Sequence, residues 1–149
     1  MIVRLDEYEN RERVIEELSV CDWRGGRSLA ERLKQNTLAD KCGEHAVYVL
    51  LSEKEDTMAV CVLGEKDEID TEMTPWLGYV YTFPAFRGQR AMGRLIAYVI
   101  GVLQEKGIPE LYVSSNEKGL YEKYGFTYMK EMKTAKGEMT SVYHRRIAE

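Results

Sequence analysis

Arginines gathered at the start of a helix are the residues of this 149-residue chain best suited to chemistry. From Thr82 to Arg94 the sequence reads TFPAFRGQRAMGR, setting Arg87, Arg90 and Arg94 around Gly88, between the end of a strand and a long helix. The first turn of a helix presents backbone N–H groups without intrahelical partners, together with the positive end of the helix dipole. Such a terminus holds phosphate well. Gly88 allows a bulky anion to approach the backbone, and arginine forks match phosphate oxygens. Three cations at this end oppose the dipole, and a bound anion removes that conflict. On charge alone, a surface helix with a basic first turn stays open as the other reading.

Other reactive types are sparser. Cys21, Cys42 and Cys61 lie about twenty residues apart with no Cys-x-x-Cys, and His45 and His144 are the only histidines. Zinc sites use closely spaced ligand pairs, so three reduced, largely buried thiols and no metal are expected. Gly25-Gly26-Arg27 lacks the Gly-Lys-Ser/Thr ending of a nucleotide loop. Glu65, Asp67, Glu68, Asp70 and Glu72 make an acidic stretch, which reads either as a solvated turn or as a lure for a cationic amine.

The elements that must position these groups follow from patterning. Ile2 to Leu5 reads as a strand. Asp6 with Glu9 forms a capping-box pattern opening a helix to about Val20, with Val14, Ile15 and Leu18 as its apolar stripe. Gly25 and Gly26 break the chain, and Ser28 with Glu31 opens a second helix through about Leu38. His45–Ser52 and Thr57–Gly64 are β-branched and apolar, and the turn Glu53–Asp56 makes them an antiparallel hairpin. Trp76–Phe83 is a further strand. The clearest helix spans about Phe86 to Lys106, with apolar residues at helical spacing, Gly107 as its C′ residue and Pro109 as its stop. Leu111–Ser114 is a strand, Ser114 with Glu117 caps a short helix over 117–124, and Phe126–Glu131 and Thr140–Arg146 close the chain. The strands flanking the long helix should be parallel neighbours joined right-handedly. One mixed α/β domain over residues 1–149 is expected, with no repeat and no linker.

Composition sets the class. Apolar residues are 44% and charged residues 31%, ordinary for a soluble globular chain. A formal net charge of −4 argues against general nucleic-acid binding. The charged N-terminus lacks a secretory core, and the longest apolar run, Leu95–Leu103, is far short of the ~20 residues that span a bilayer. A cytoplasmic protein is expected, with no membrane partner.

With these elements in order, the run Thr82 to Gly88 (TFPAFRG) and the run Ser115 to Phe126 (SNEKGLYEKYGF) together make the chain resemble the GCN5-related N-acetyltransferase (GNAT) superfamily. That family's phosphate arm follows Gln/Arg-x-x-Gly-x-Gly/Ala, usually inside Val-x-Pro-x-Tyr-Arg-Gly. Thr82-Phe83-Pro84-Ala85-Phe86-Arg87-Gly88 tracks that run. Ser115 to Phe126 (SNEKGLYEKYGF) resembles the closing motif Leu-Tyr-Glu-Lys-x-Gly-Phe. Arg90 and Met92 depart from the pattern, standing where the arm usually carries glycine and glycine or alanine. Arg90 is then expected to point outward and Met92 to face the core.

The resemblance implies a mixed, mostly antiparallel sheet with a splayed parallel pair of central strands, flanked by helices. It implies acetyl-CoA as acyl donor, lying in the splay. Val80, Tyr81 and Thr82 would meet the pantetheine arm, and a backbone N–H there would polarise the thioester carbonyl, worth ~3 kcal/mol. The N–H groups of Arg87, Gly88, Gln89, Arg90, Ala91, Met92 and Gly93 would hold the diphosphate, helped by Arg94. Ser115 and Asn116 would line the cofactor arm. Tyr121 aligns with the family's tyrosine that protonates the departing thiolate, whereas a tyrosine packed on the core is the bland alternative. Tyr124 reads as packing. A primary amine with a pKa of about 10.4 must first lose a proton. Asp67, nearest the end of its strand, is the first choice of base, ahead of His45. Trp23 and Arg27 either touch the acceptor or, for Trp23, pack between helices. The acceptor is a small-molecule or peptide amine, and an edge strand near the C-terminus could pair two copies. Two other function classes stay open: an acyl-CoA-binding sensor with a degenerate arm that no longer catalyses, and a pure protein-interaction domain.

Overall fold

In the computed structural model, which describes residues 1–147, the β-branched runs become strands of one seven-stranded sheet. The strands are β1 (Ile2–Arg4), β2 (His45–Leu51), β3 (Thr57–Gly64), β4 (Trp76–Thr82), β5 (Glu110–Ser114), β6 (Thr127–Lys133) and β7 (Met139–Arg146). Their spatial order is β1-β2-β3-β4-β5-β7-β6. The parallel pair is β4–β5, and the other neighbours are antiparallel. The helices are α1 (Arg11–Ser19), α2 (Arg24–Gln35), α3 (Leu38–Cys42) and α4 (Ala91–Glu105).

Alternation along the strands sorts the core into two layers. Tyr48 and Leu50 of β2, with Cys61 and Leu63 of β3, face Leu95, Ile96, Val99 and Leu103 of α4. Val47, Val49 and Leu51 of β2, with Val60 and Val62 of β3, face Val14, Ile15 and Leu18 of α1 and Leu29 of α2. Both faces of the central strands are therefore covered, which accounts for their unbroken apolar runs.

The central pair barely joins. β4 and β5 align at Trp76↔Tyr112 and Leu77↔Val113 only. Beyond that, β5 stays with β7, the Ser115 N–H donating to the Ser141 carbonyl at 2.9 Å. β4 stays with β3 but takes up an extra residue, since Val62 opposes Gly78 whereas Val60 opposes Tyr81. Tyr79 sits in the bulge with φ of 50°, left-handed for a residue with a side chain. A bulge bends its strand, so β4 swings from β5 at this point.

Several element boundaries differ from the expectations above. α1 begins at Arg11 because Asp6 pairs with Arg4 at 3.0 Å and residues 5–7 form a 3-10 turn. Gly25 and Gly26 do not break the chain but lie in the first turn of α2. A Cβ on Gly25 would stand 2.4 Å from the Trp23 ring, and one on Gly26 2.6 Å from Cys21 Sγ, so these glycines admit both side chains against the helix. α2 ends at Gln35, where Asn36 turns left-handed, and α3 is a separate short helix. Pro84–Phe86 is a 3-10 turn, and α4 begins only at Ala91. The helix expected over 117–124 shrinks to a 3-10 turn at Tyr121–Tyr124, with Ser115 rather than Ser114 accepting the Glu117 N–H at 3.1 Å. The C-terminal edge strand is β6, because β7 inserts between it and β5. Among the described residues no helix is long and apolar enough to cross a membrane.

Candidate active site

The divergence of β4 from β5 opens a cavity of about 820 Å³. One wall is β4 from Leu77 to Thr82, and the opposite wall is Val113 to Glu117 with Leu120 and Tyr121. Met92 and Arg87 reach it from the α4 side, and Asp22, Trp23 and Gly25 from the α1–α2 connection. Val80, Tyr81, Thr82, Arg87, Met92, Ser115, Asn116, Asp67 and Tyr121, expected from sequence to form the site, thus border one space. Gly88, Gln89, Arg90, Ala91, Gly93 and Arg94 lie outside that lining, in the arm that precedes and opens α4.

In the arm, the Arg94 N–H donates to the Arg90 carbonyl at 3.0 Å, whereas the amides of Gly88 to Gly93 have no backbone acceptor among the described residues. Gly88 has φ of 83°, and a Cβ there would meet nothing within 4 Å. Arg90 caps α4 with φ of 61°. The left-handed form costs a residue with a side chain about 1–2 kcal/mol, which gives a physical reason for glycine at this position in the resembling arm. Gln89, Arg90 and Arg94 are exposed and Ala91 is buried. Met92 packs on the core, as expected, and borders the cavity. A Cβ on Gly93 would stand 3.0 Å from the Tyr124 ring, so Tyr124 packs over a bare stretch of helix.

The Arg87 guanidinium is engaged by the chain itself. Its Nε donates to the Thr82 carbonyl at 3.1 Å, another nitrogen lies 3.2 Å from Asp22 Oδ1, and its carbon lies 5.7 Å from the Tyr81 ring centre. The Tyr81 hydroxyl donates to the same Asp22 oxygen. Trp23 stacks on Tyr81 at 5.6 Å and 11° between planes. Tyr81 and then Arg87 hold the Asp22 carboxyl below the usual carboxylate range. Together they latch the α1–α2 connection onto the end of β4. Arg27 donates to the Cys21 carbonyl at 2.8 Å and does not border the cavity.

The titratable centre lies deeper. Burial pushes the Asp67 carboxyl up to about 6, with Lys41 and the Glu68 amide pulling it back. Gly78 gives this carboxylate room, since a Cβ there would stand 2.9 Å from Oδ1. Lys41 Nζ donates to the Tyr79 hydroxyl at 3.1 Å and sits 4.6 Å from the centre of its ring. Burial works against the Lys41 charge, but Tyr79, Asp67 and Glu68 outweigh it and raise its pKa. Ser114 donates to Glu68 at 2.5 Å. Tyr121 is 6% exposed, and burial, then the Glu117 charge, pushes its phenol upward, so it holds its proton at neutral pH. Its ring packs on Phe126 at 5.6 Å, so the packing expected of a core tyrosine and a place at the cavity wall coexist.

Lys41, Tyr79, Glu68 and Asp22 belong to this centre but carry no distinguishing motif. Glu68 was visible only as one of five neighbouring acids, and Lys41 lies on a five-residue helix without a readable period. His45 instead places Nδ1 2.8 Å from the Gly43 carbonyl, and His144 lies beside Glu110 at 3.2 Å, neither bordering the cavity. Burial pushes the Cys42 thiol to about 11 and that of Cys61 to about 12, keeping both protonated. Among the described residues no cluster of three or more His, Cys, Asp or Glu side chains is arranged to hold a metal.

The family described as "Acetyltransferase (GNAT) domain" matches residues 43–128, more than half of the chain. No curated protein sequence matches. Among solved structures, an aminoglycoside 6'-acetyltransferase type Ii is similar with a TM-score of 0.73 at 15% identity, covering 100% of this chain and 98% of that one. A GNAT-family protein from Desulfovibrio desulfuricans gives 0.72 at 15% identity, covering 99% of each chain. A GNAT acetyltransferase from Elizabethkingia anophelis, solved with acetyl-CoA bound, gives 0.68 at 15% identity, covering 98% of this chain and 97% of that one. At these identities the likeness is one of fold.

Proposed function

The chain belongs to the acetyltransferase (GNAT) family, and we propose that it moves the acetyl group of acetyl-CoA directly to a primary amine. One observation carries this reading: the cavity between β4 and β5 is bordered both by a carboxylate poised near neutrality, Asp67, and by a protonated phenol, Tyr121. One group ionised just above its pKa to accept a proton, and one that keeps its proton until a developing thiolate draws it, are what acyl transfer to an amine requires. The residues present suit the donor. The amides of Gly88 to Gly93 have no backbone acceptor among the described residues and can take a diphosphate. Val80 to Thr82 offer the strand edge left by the divergence to a pantetheine arm. Ser115 and Asn116 line the facing wall.

When bound, acetyl-CoA supplies an activated thioester carbonyl. Asp67 takes the proton of the acceptor ammonium, directly or through a water, leaving a neutral nitrogen to attack. As the C–N bond forms and the C–S bond breaks, Tyr121 gives its proton to the departing sulfur. The second amine proton leaves through Asp67 to solvent, and Tyr121 recovers its own, so the turnover releases amide, free thiol and one proton. A backbone N–H of the β4 bulge is suited to polarise the thioester carbonyl.

Calorimetry with acetyl-CoA followed by Tyr121→Phe kinetics tests this reading. Binding should be measurable, and Tyr121→Phe should lower kcat about 100-fold while changing affinity little. Undetectable binding at millimolar acetyl-CoA would sink it. The non-catalytic acyl-CoA sensor rests on Arg90 and Met92, which stand where the resembling arm carries smaller residues. It predicts good affinity with no thiol release across a broad amine panel.

A further inference from the structure

One amine of the chain itself stands at the place an acceptor amine has to reach. Among the described residues Lys41 is the one lysine in the lining of the cavity between β4 and β5. It also lines a second cavity, of about 560 Å³, which adjoins the first and shares Lys41, Asp67, Glu68 and Asn116 with it. Its side chain thus stands at the junction of the two spaces.

Both ends of that side chain are fixed. Leu38 and Cys42 bury themselves in the layer beneath α1 and α2 and moor α3 there. At the far end, Nζ donates to the Tyr79 hydroxyl at 3.1 Å and lies 4.6 Å from the centre of that ring. Among the described residues no carboxylate lies within ion-pair distance of this nitrogen. Tyr79 is the bulge residue of β4, and the residue before it, Gly78, is where the Asp67 carboxylate rests, Oδ1 lying 2.9 Å from the place of a Cβ. The candidate base and the Lys41 ammonium are therefore held against consecutive residues of one strand. The Tyr79 ring packs with the α1–α2 layer, whereas Tyr121 and Met92 pack with the α4 layer. A thioester in the gap between β4 and β5 has Lys41 on one face of the sheet and Tyr121 on the other, an amine and an acid on opposite sides.

We propose that Lys41 is a modification site: with acetyl-CoA bound and no other amine at the junction, its Nζ takes the acetyl group. This rests on the donor and proton-transfer groups of the reading above, but not on any external acceptor. Asp67 takes a proton from the ammonium, the Nζ–C bond forms as the C–S bond breaks, and Tyr121 protonates the departing sulfur. The second Nζ proton leaves through Asp67 and Tyr121 recovers its own, so the step yields acetyl-lysine, free thiol and one proton. Tethering makes the attack intramolecular, so no encounter with an acceptor is needed. Acetylated Lys41 is uncharged and longer, and it narrows the junction to any other amine.

The test incubates the full chain with acetyl-CoA and no added amine, then reads intact mass and peptide masses. One acetyl group per chain, localised to Lys41, is expected. Its rate should be independent of protein concentration over about a tenfold range, as an intramolecular step requires. Tyr121→Phe should slow it about tenfold or more, a response that slow chemical acetylation of surface lysines does not share. Lys41→Arg should lose the mark, and mapping of the wild-type chain reads the site whether or not that variant folds. Lys41 left unmodified, acetyl groups spread evenly over exposed lysines, or a rate that climbs with protein concentration would each overturn the inference. Thiol release with a broad panel of amines, on the same preparation, separates the two readings. Turnover of an external amine with Lys41 unmodified defeats this inference alone. Acetylation of Lys41 without turnover of any panel member upholds it and defeats the external acceptor alone.

Discussion

Asp67 has a cost in stability that its proposed role requires. Folding raises its pKa from an ordinary 3.8 to about 6, so the native state holds this proton more tightly than the unfolded chain. The resulting stabilisation is complete below about pH 3.8 and is lost as pH rises through about 6. Asp67→Asn keeps the neutral form at every pH. It should therefore be more stable than the wild type at pH 8, by on the order of 3 kcal/mol, with the gap closing below pH 4. Urea denaturation at both pH values checks this, and equal stability at pH 8 would show that the burial penalty is absent. If Asp67 is the base, the same carboxyl should set the acid limb of activity near pH 6, because the base must be ionised. Lys41 holds the Asp67 pKa down, so Lys41→Met should move that limb to higher pH. A pH–kcat/KM profile in which the limb stays or falls would remove Asp67 as base. Arg90 makes a second, separable case. Its left-handed backbone means that Arg90→Gly should gain up to about 1 kcal/mol in thermal unfolding. If the exposed guanidinium pairs with phosphate, acetyl-CoA affinity should fall at the same time, so stability and binding move in opposite directions.

Among the elements, β4 decides the site, through Gly78 and the bulge at Tyr79 beside it. A Cβ on Gly78 would stand 2.9 Å from Asp67 Oδ1, the tip of a side chain that can turn aside. Gly78→Ala should therefore change unfolding little and yet cut kcat by roughly tenfold or more by moving the base. Unaltered turnover would mean that the position of Asp67 is immaterial. Sequence reading succeeded where one element carries its own pattern. The β2–β3 hairpin, β4 and the body of α4 were legible from alternation, helical period and Gly/Pro punctuation. It failed where tertiary contact overrides a local signal. Asp6, Ser28 and Ser114 each look like helix caps, but Asp6 goes to Arg4, Ser28 lies inside α2, and Ser114 goes to Glu68. Gly25 and Gly26 look like a break because the Trp23 ring and the Cys21 sulfur that occupy their missing Cβ space cannot be foreseen from spacing. Lys41 and Glu68 were illegible for the same reason, being joined to Tyr79 and Ser114 across 38 and 46 residues.

The whole molecule is a sheet in two parts, β1 to β4 and β5-β7-β6, linked at the seam by a ladder two residues long. The seam is also crossed by α4, whose Leu95, Val99 and Leu103 share one core with Leu77 of β4 and Leu111 and Val113 of β5, and by the cluster of Ile69 and Trp76 with Val142 of β7. A donor lying in the divergence would touch both parts and act as an additional tie. Ligand at 100 times its Kd adds about 2.7 kcal/mol to stability when only the native state binds it. Saturating acetyl-CoA should therefore raise the unfolding temperature. Hydrogen exchange should slow at the amides of Val80 to Thr82 and of Gly88 to Gly93, on one side of the gap, and around Ser115 and Asn116 on the other. β1 and β2 lie far across the sheet from the seam and should gain only the global increment. Protection confined to one part of the sheet would mean that the ligand does not lie in the divergence, and the assignments of Val80, Ser115 and Tyr121 to a common site would fail together.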